Sequence, residues 1–327
     1  MLTRRALLPA AAAGLLLPSI AMRVSAQVTT KQVRIIVGFP AGGGTDVIAR
    51  ILADRLRGPY SPVVLVENKP GAAARLSVEF VKNSDPDGTT LLFTPDFPIT
   101  VYPHSFRSLS YDPLRDLVPI ATTTQSQLTY NVGPAVPDSV KTLKDFVEWC
   151  KANPDKANYG TTSAGGTPHF VGVMLANAAG IKMTPVHYRG GAPAVQDLLG
   201  GHVPASINPI SEVLTLAKGG QLRILAVTGS KRSSFLPDVP TMKESGYDVV
   251  IDSWLGMFGP AKTPPDVVRS LSDAIKVAAL SPEMKESLAK FGNEPGYMGP
   301  EEFAARVKAD IDRWGAVVKE SGFVAED

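Results

Sequence analysis

With 327 residues, 44% of them apolar and 20% charged, the chain is long enough for two domains and can bury a large core. The near-balance of 33 basic and 31 acidic residues gives no basis for binding nucleic acid or an anionic membrane. A single cysteine, Cys150, and four scattered histidines exclude an internal disulfide, a Cys-rich zinc site and an iron–sulfur cluster, so no metal and no cofactor is expected.

Residues 1–26 have the layout of a secretory signal: Arg4-Arg5, an apolar run over residues 6–17, and a small-residue end at Val24-Ser25-Ala26. The run is too short to span a bilayer and is punctuated by Pro9, Gly14 and Pro18. Thr3-Arg4-Arg5-Ala6-Leu7-Leu8 also resembles a twin-arginine signal, so both the Sec and the Tat export routes fit. Cleavage would remove Arg4, Arg5 and Arg23 and no acid, leaving 30 basic residues against 31 acidic. The mature protein is then exported, soluble and close to neutral.

Val33-Arg34-Ile35-Ile36-Val37 is a β-branched run that predicts a buried strand. The glycine loop Gly38-Phe39-Pro40-Ala41-Gly42-Gly43-Gly44 follows, with Thr45-Asp46 as a cap. Val47, Ile48, Ile51, Leu52 and Leu56 then share one helical face. Residues 63–66 predict a second strand, residues 72–81 a helix and residues 90–93 a third strand. This alternation is the mark of right-handed crossovers in a parallel sheet. The pattern restarts with a helix over residues 143–149, where Cys150 reads as a small core residue. A strand at 158–161 leads into the loop Ser163-Ala164-Gly165-Gly166-Thr167-Pro168 and a helix that stops at Gly180. A strand at 184–188, a third loop Arg189-Gly190-Gly191-Ala192-Pro193, a helix at 194–199 and a strand at 223–228 complete this half. Three helices opening at Pro264, Ser281 and Pro300 form the tail. Each half thus repeats strand, glycine loop and helix start, an arrangement in which ligands sit beyond the strand ends and anions are favoured.

The first loop approaches a nucleotide-binding loop, but Gly44 stands where the lysine belongs. It also begins a dinucleotide fingerprint, which Val47 breaks at the third glycine. Gly160-Thr161-Thr162-Ser163-Ala164-Gly165 fails the hydrolase elbow at Thr161. No carboxylate pair for acid–base work is evident, so no catalytic residue is assigned and the protein is not expected to be an enzyme. The alternative is a hydrolase of a carboxylate ester or amide using Ser163 and His169.

These residues resemble a known family. Phe39-Pro40-Ala41-Gly42-Gly43-Gly44-Thr45-Asp46 with Ala49-Arg50, Val66-Glu67-Asn68-Lys69-Pro70-Gly71-Ala72, Pro86-Asp87-Gly88 and Tyr111-Asp112-Pro113 occur in the family's order. So do Tyr188-Arg189-Gly190, Leu198-Leu199-Gly200-Gly201, Ala226-Val227-Thr228 with Arg232, and Leu236-Pro237-Asp238-Val239-Pro240-Thr241. The chain is similar over essentially all its mature length to the extracytoplasmic solute receptors of tripartite tricarboxylate transporters, the Bug-type receptors. The resemblance implies a type II periplasmic-binding-protein-like Venus flytrap, with two α/β domains and a ligand cleft between them. Domain 1 would comprise residues 27–126 and 227–327, and domain 2 residues 127–226, joined by two crossing strands. It further implies a periplasmic, monomeric receptor that holds a small organic carboxylate and delivers it to membrane transporter subunits. A ligand sensor for a signalling partner is the variant of that reading.

Carried over by position, the ligand-binding residues are Pro40, Ala41, Gly42, Gly43, Gly44, Thr45, Asp46, Ala72, Ala73, Thr94, Asp96 and Phe97. From the second half come Thr161, Ser163, Gly165, Gly166, Thr167, His169, Tyr188, Arg189 and Gly190. Where the family commonly has Gly-Gly-Asn, this chain has Ala73-Ala74-Arg75, and Arg75 would pair with a second carboxylate. Phe97 would stack on an aromatic ligand, while Asp96 would meet an amino group. Arg189 replaces the usual lysine and Pro204 the usual aspartate. Arg75 and Phe97 together incline the reading towards a dicarboxylate, aromatic ones included.

Overall fold

The computed structural model describes residues 29–324, so the signal-like segment 1–26 lies outside the described residues. In the first part of the chain, β1 (Val33–Val37), α1 (Gly44–Leu56), β2 (Val64–Asn68), α2 (Arg75–Lys82) and β3 (Thr90–Pro95) alternate. Strand β1 pairs in parallel with both β2 and β3, because its apolar run is covered on both faces. Short helices α3 (Phe97–Thr100), α4 (Tyr102–Ser105) and α5 (Pro113–Asp116) lead into β4 (Leu117–Ser126). Gln127 alone separates β4 from β5 (Leu128–Val132), which belongs to a second sheet.

The second sheet is built by α6 (Leu143–Ala152), β6 (Asn158–Thr161), α7 (Thr167–Ala179), β7 (Thr184–His187) and α8 (Gly191–Leu199). It is completed by β8 (Ala205–Pro209), α9 (Ile210–Lys218) and β9 (Arg223–Val227). Its order is β7-β6-β8-β5-β9, with β6 parallel to β7 and β8 and the crossing strand β5 antiparallel to β8 and β9. The chain then returns through β10 (Ser253–Pro260), α10 (Pro265–Ala279), α11 (Pro282–Ala289), β11 (Glu294–Pro295) and α12 (Pro300–Ser321). Strands β10 and β11 join the first sheet, giving the order β11-β4-β10-β3-β1-β2. The result is two α/β domains with a cleft between them, a Venus flytrap.

The residue pattern does not predict the inner strands β4, β5, β8 and β10, and the family resemblance implies only a crossing strand near residues 122–128. Strand β4 contains Pro119 and the triplet Thr122, Thr123 and Thr124, and β10 contains Gly256, Gly259 and Pro260. Proline and glycine disfavour strands by propensity, although threonine favours them, and tertiary packing overrides the preference of the first two. All eight β10 residues are buried, and a Cβ at Gly256 would come within 2.3 Å of the Phe303 ring. The glycine therefore admits α12 onto the sheet. Helix α12 also reaches further than the linear reading suggested. Phe303 and Val307 pack in the first domain with Trp254, whereas Trp314 and Val318 join Phe170 in the core of the second. Cys150 is buried on α6, and burial pushes its thiol up to about 12, in line with a core role.

The predicted helix at 72–81 begins irregularly. Ala72, Ala73 and Ala74 have φ of 45°, 53° and 71°, forming a left-handed turn before α2 starts at Arg75. An L-residue pays about 1–2 kcal/mol in this region, a cost that glycine avoids. Ala73→Gly should therefore raise unfolding stability by about 1 kcal/mol. A lowered melting temperature would show that the lost Ala73 side chain outweighs the relieved strain.

Candidate functional site

The two domains meet over one cavity of about 220 Å³. The first domain supplies the loop from Phe39 to Thr45 together with Asp96, Phe97, Ser253 and Leu255. The second supplies Thr162, Thr167, Pro168, the loop from Arg189 to Pro193, Ser211 and Glu212. Ser126 and Leu128 reach it from the crossing strand. The lining is hydroxyls, glycine backbone and apolar rings, and Phe39 meets Phe97 edge-on at 5.9 Å between ring centres. Its volume suits a ligand smaller than drug size.

Helices α1, α7 and α8 all start on this cavity. Their N-cap residues are glycines, Gly43, Gly166 and Gly190, and none of the three receives a side-chain cap. By contrast α6 and α11, which do not line it, are capped by Thr142 and Ser281. First-turn N–H groups have no partner inside their helix and carry the positive end of its dipole. Left uncapped on a shared cavity, they form a place for an anion.

Asp46 holds the α1 terminus in position. Its Oδ2 accepts from the Gly42 N–H and Arg50 Nε, each at 2.9 Å, and its Oδ1 accepts from Asn68 Nδ2 at 2.8 Å. Burial opposes its charge, but the hydrogen bonds from Arg50, Gly42 and Asn68 win and hold the carboxyl below its usual range. Asp96, next to the end of β3, spans the domain seam. Ser253 Oγ donates to its Oδ1 at 2.9 Å, and Thr167 Oγ1, from α7 of the other domain, donates to its Oδ2 at 3.1 Å. Burial raises it to about 6, against the pull of those hydroxyls. Glu212, in the first turn of α9, accepts from Asn208 Nδ2 at 3.0 Å, and burial raises it to about 7. Its carboxyl lies against the start of α8, so closely that a Cβ on Gly191 would be 1.7 Å from Oε2.

A model of the tripartite tricarboxylate transporter family receptor matches residues 48–323. The chain belongs to that family. A Cupriavidus necator relative, the UPF0065 protein in the gbd 5' region, is 35% identical over 294 residues, covering 89% of this chain and 88% of its own. Among solved structures, R. palustris Rpa4515 with adipate superposes with a TM-score of 0.85 at 29% identity, covering 90% of this receptor and 98% of that chain. MatC from Rhodopseudomonas palustris with bound malate gives 0.81 at 26% identity, over 88% and 98% of the two chains.

In this receptor the cavity brings together Pro40, Ala41, Gly42, Gly43, Gly44, Thr45, Asp96, Phe97, Thr167, Arg189 and Gly190. Asp46, Thr94, Thr161 and Gly166 stand behind the lining, and Ala72 and Ala73 lie on the left-handed turn. Arg75 does not line the cavity either. Its Nε donates to the Ala72 carbonyl and its guanidinium lies 4.1 Å over the Phe106 ring, which removes one of the two supports for a dicarboxylate. Tyr188 is outside the lining and donates its hydroxyl to Asp197. Ser163, Gly165 and His169 form a separate packed corner. His169 Nδ1 accepts from the Gly165 N–H rather than from Ser163, its ring meets Phe323 at 4.4 Å, and burial lowers it to about 3. Among the described residues no cluster of three or more His, Cys, Asp or Glu could hold a metal, and no helix is long and apolar enough to cross a membrane. Sequence reasoning missed Ser126, Ser211, Glu212, Ser253 and Asn293 in the lining. They sit on elements carrying no glycine motif.

Asp46→Asn should cost about 1–3 kcal/mol at neutral pH, because it breaks a charged, buried hydrogen-bond set. A depressed carboxyl contributes fully above about pH 4 and loses its contribution as pH falls through its folded pKa. The stability gap between wild type and variant should therefore close in acid. A gap that is constant with pH would assign the loss to packing rather than to charge.

Proposed function

We propose that this protein is a periplasmic receptor that closes around a small organic carboxylate and delivers it to a tripartite-type membrane transporter. The observation that carries this reading is the convergence of three glycine N-caps, none with a side-chain cap, on one cavity between two domains. Such termini recognise a carboxylate through backbone N–H groups without needing a basic side chain. The likeness to receptors solved with adipate and malate supports the same class of ligand. We place the domains at residues 27–126 with 227–327, and 127–226, since the two sheets draw their strands from those spans. The protein would act as a monomer, exported by its N-terminal signal.

Closure is the mechanism. Ligand bound between the domains stabilises the form in which both lobes touch it, and only that differential contact shifts the equilibrium. Two contacts already join the lobes: the Thr167–Asp96 bond crosses the seam, and Ser211 of α9 sits against Gly44 of α1.

The test is a melting-temperature screen of mature protein, unfolded and refolded to strip carried ligand, against mono-, di- and tricarboxylates. A ligand at about a thousandfold over its dissociation constant adds about 4 kcal/mol and should shift the midpoint by several degrees. A panel in which every carboxylate leaves the midpoint unchanged would refute the reading.

A further inference from the structure

Three uncapped helix ends open on the cavity, yet two are already met by the protein's own acids. Glu212 lies against Gly191 at the start of α8. Asp96 takes the hydroxyl of Thr167, the first residue of α7. At α1 the first-turn acid is Asp46, whose charge is taken up by Arg50 and which lies outside the cavity lining, and Glu212 presents there only its Cγ, 3.9 Å from a Cβ built on Gly44. The first-turn N–H groups of Gly44 and Thr45 are therefore the terminus left for a ligand anion.

Charge counting points the same way. The cavity's charged lining residues are Asp96, Glu212 and Arg189, and Arg189 is exposed to solvent whereas Asp96 is buried. A second ligand carboxylate enclosed with two acids would meet like charge in a space with little water to screen it. A cation there would meet opposite charge, with one Glu212 oxygen already held by Asn208. We infer that the ligand bears one carboxylate, for the α1 terminus, and a cationic group such as an ammonium, received by Glu212, with Asp96 lining the same cavity. This rests on the carboxylate-receptor reading and narrows it to zwitterionic acids.

The experiment measures dissociation constants for pairs that exchange one carboxylate for an ammonium on the same spacer: glutarate against γ-aminobutyrate, and adipate against δ-aminovalerate. Succinate against β-alanine adds a shorter spacer. Wild type and Glu212→Gln are compared, with unliganded melting temperature as the folding control. At least one amino member should bind wild type at least about tenfold tighter than its diacid, and the preference should fall by a similar factor in the variant. The affinity for that amino member should also rise as pH increases through about 7, where Glu212 ionises. The elements packed on Glu212 bring no ionisable group into the cavity besides Arg189, and Asp96 faces it from the other domain.

Diacids that bind as tightly as, or tighter than, every amino partner overturn the inference while leaving the receptor reading intact. So does an amino preference that survives unchanged in a folded Glu212→Gln. Diacid affinity that grows as pH falls would overturn it too, by showing both acids acting as proton-bearing donors. Binding of no amino member, with some other carboxylate of the wider panel shifting the midpoint, would overturn the inference alone, whereas a panel with no shift at all would refute the receptor reading itself.

Discussion

A helix that begins against a dry cavity must have its first N–H groups answered by something, and that requirement organises this molecule. Elsewhere Thr142 and Ser281 answer it locally. At the cleft, glycine N-caps remove the local answer, and the strands feeding those helices aim all three termini at one volume. The topology follows from this need. The parallel strands β1, β6 and β7 put the starts of α1, α7 and α8 at the same edge of their sheets, and the two crossings between the sheets set those edges face to face.

The parts legible in the sequence were those where local preference and tertiary role coincide. The Val33–Val37 run is β-branched and buried, so pattern and packing agree. The glycine loops at 38–44 and 189–193 announce both a backbone turn and the approach of a ligand, and both line the cavity. Strands β4 and β10 could not be read in this way. Their glycines and prolines look like loop residues and their threonines form no apolar run, yet Thr122, Thr123 and Thr124 are buried, with Thr122 and Thr124 paired to β10. Glu212 was invisible for a related reason. A glutamate in the first turn of a helix ordinarily answers its own dipole from the surface, and only the fold brings it against the start of a different helix.

Asp96 shows how one side chain can tie two domains together while lining the cavity between them. Its oxygens are held by a serine of its own domain and a threonine of the other, so the carboxyl records whether the seam is closed. Arg75 shows the converse. The residue type suggested recognition, but the left-handed alanine turn before it directs the guanidinium onto Phe106.

Helix α12 has a consequence for how such a receptor moves. One end is rooted among Trp254 and its neighbours, and the other among Phe170 and the second core. A rod embedded in both lobes cannot lie far from the line about which they turn, because points distant from a rotation axis sweep the largest arcs and would tear out of their sockets. Any opening that kept both ends seated would have to turn about a line near this helix. The mouth, at the glycine loops, travels while the back stays packed.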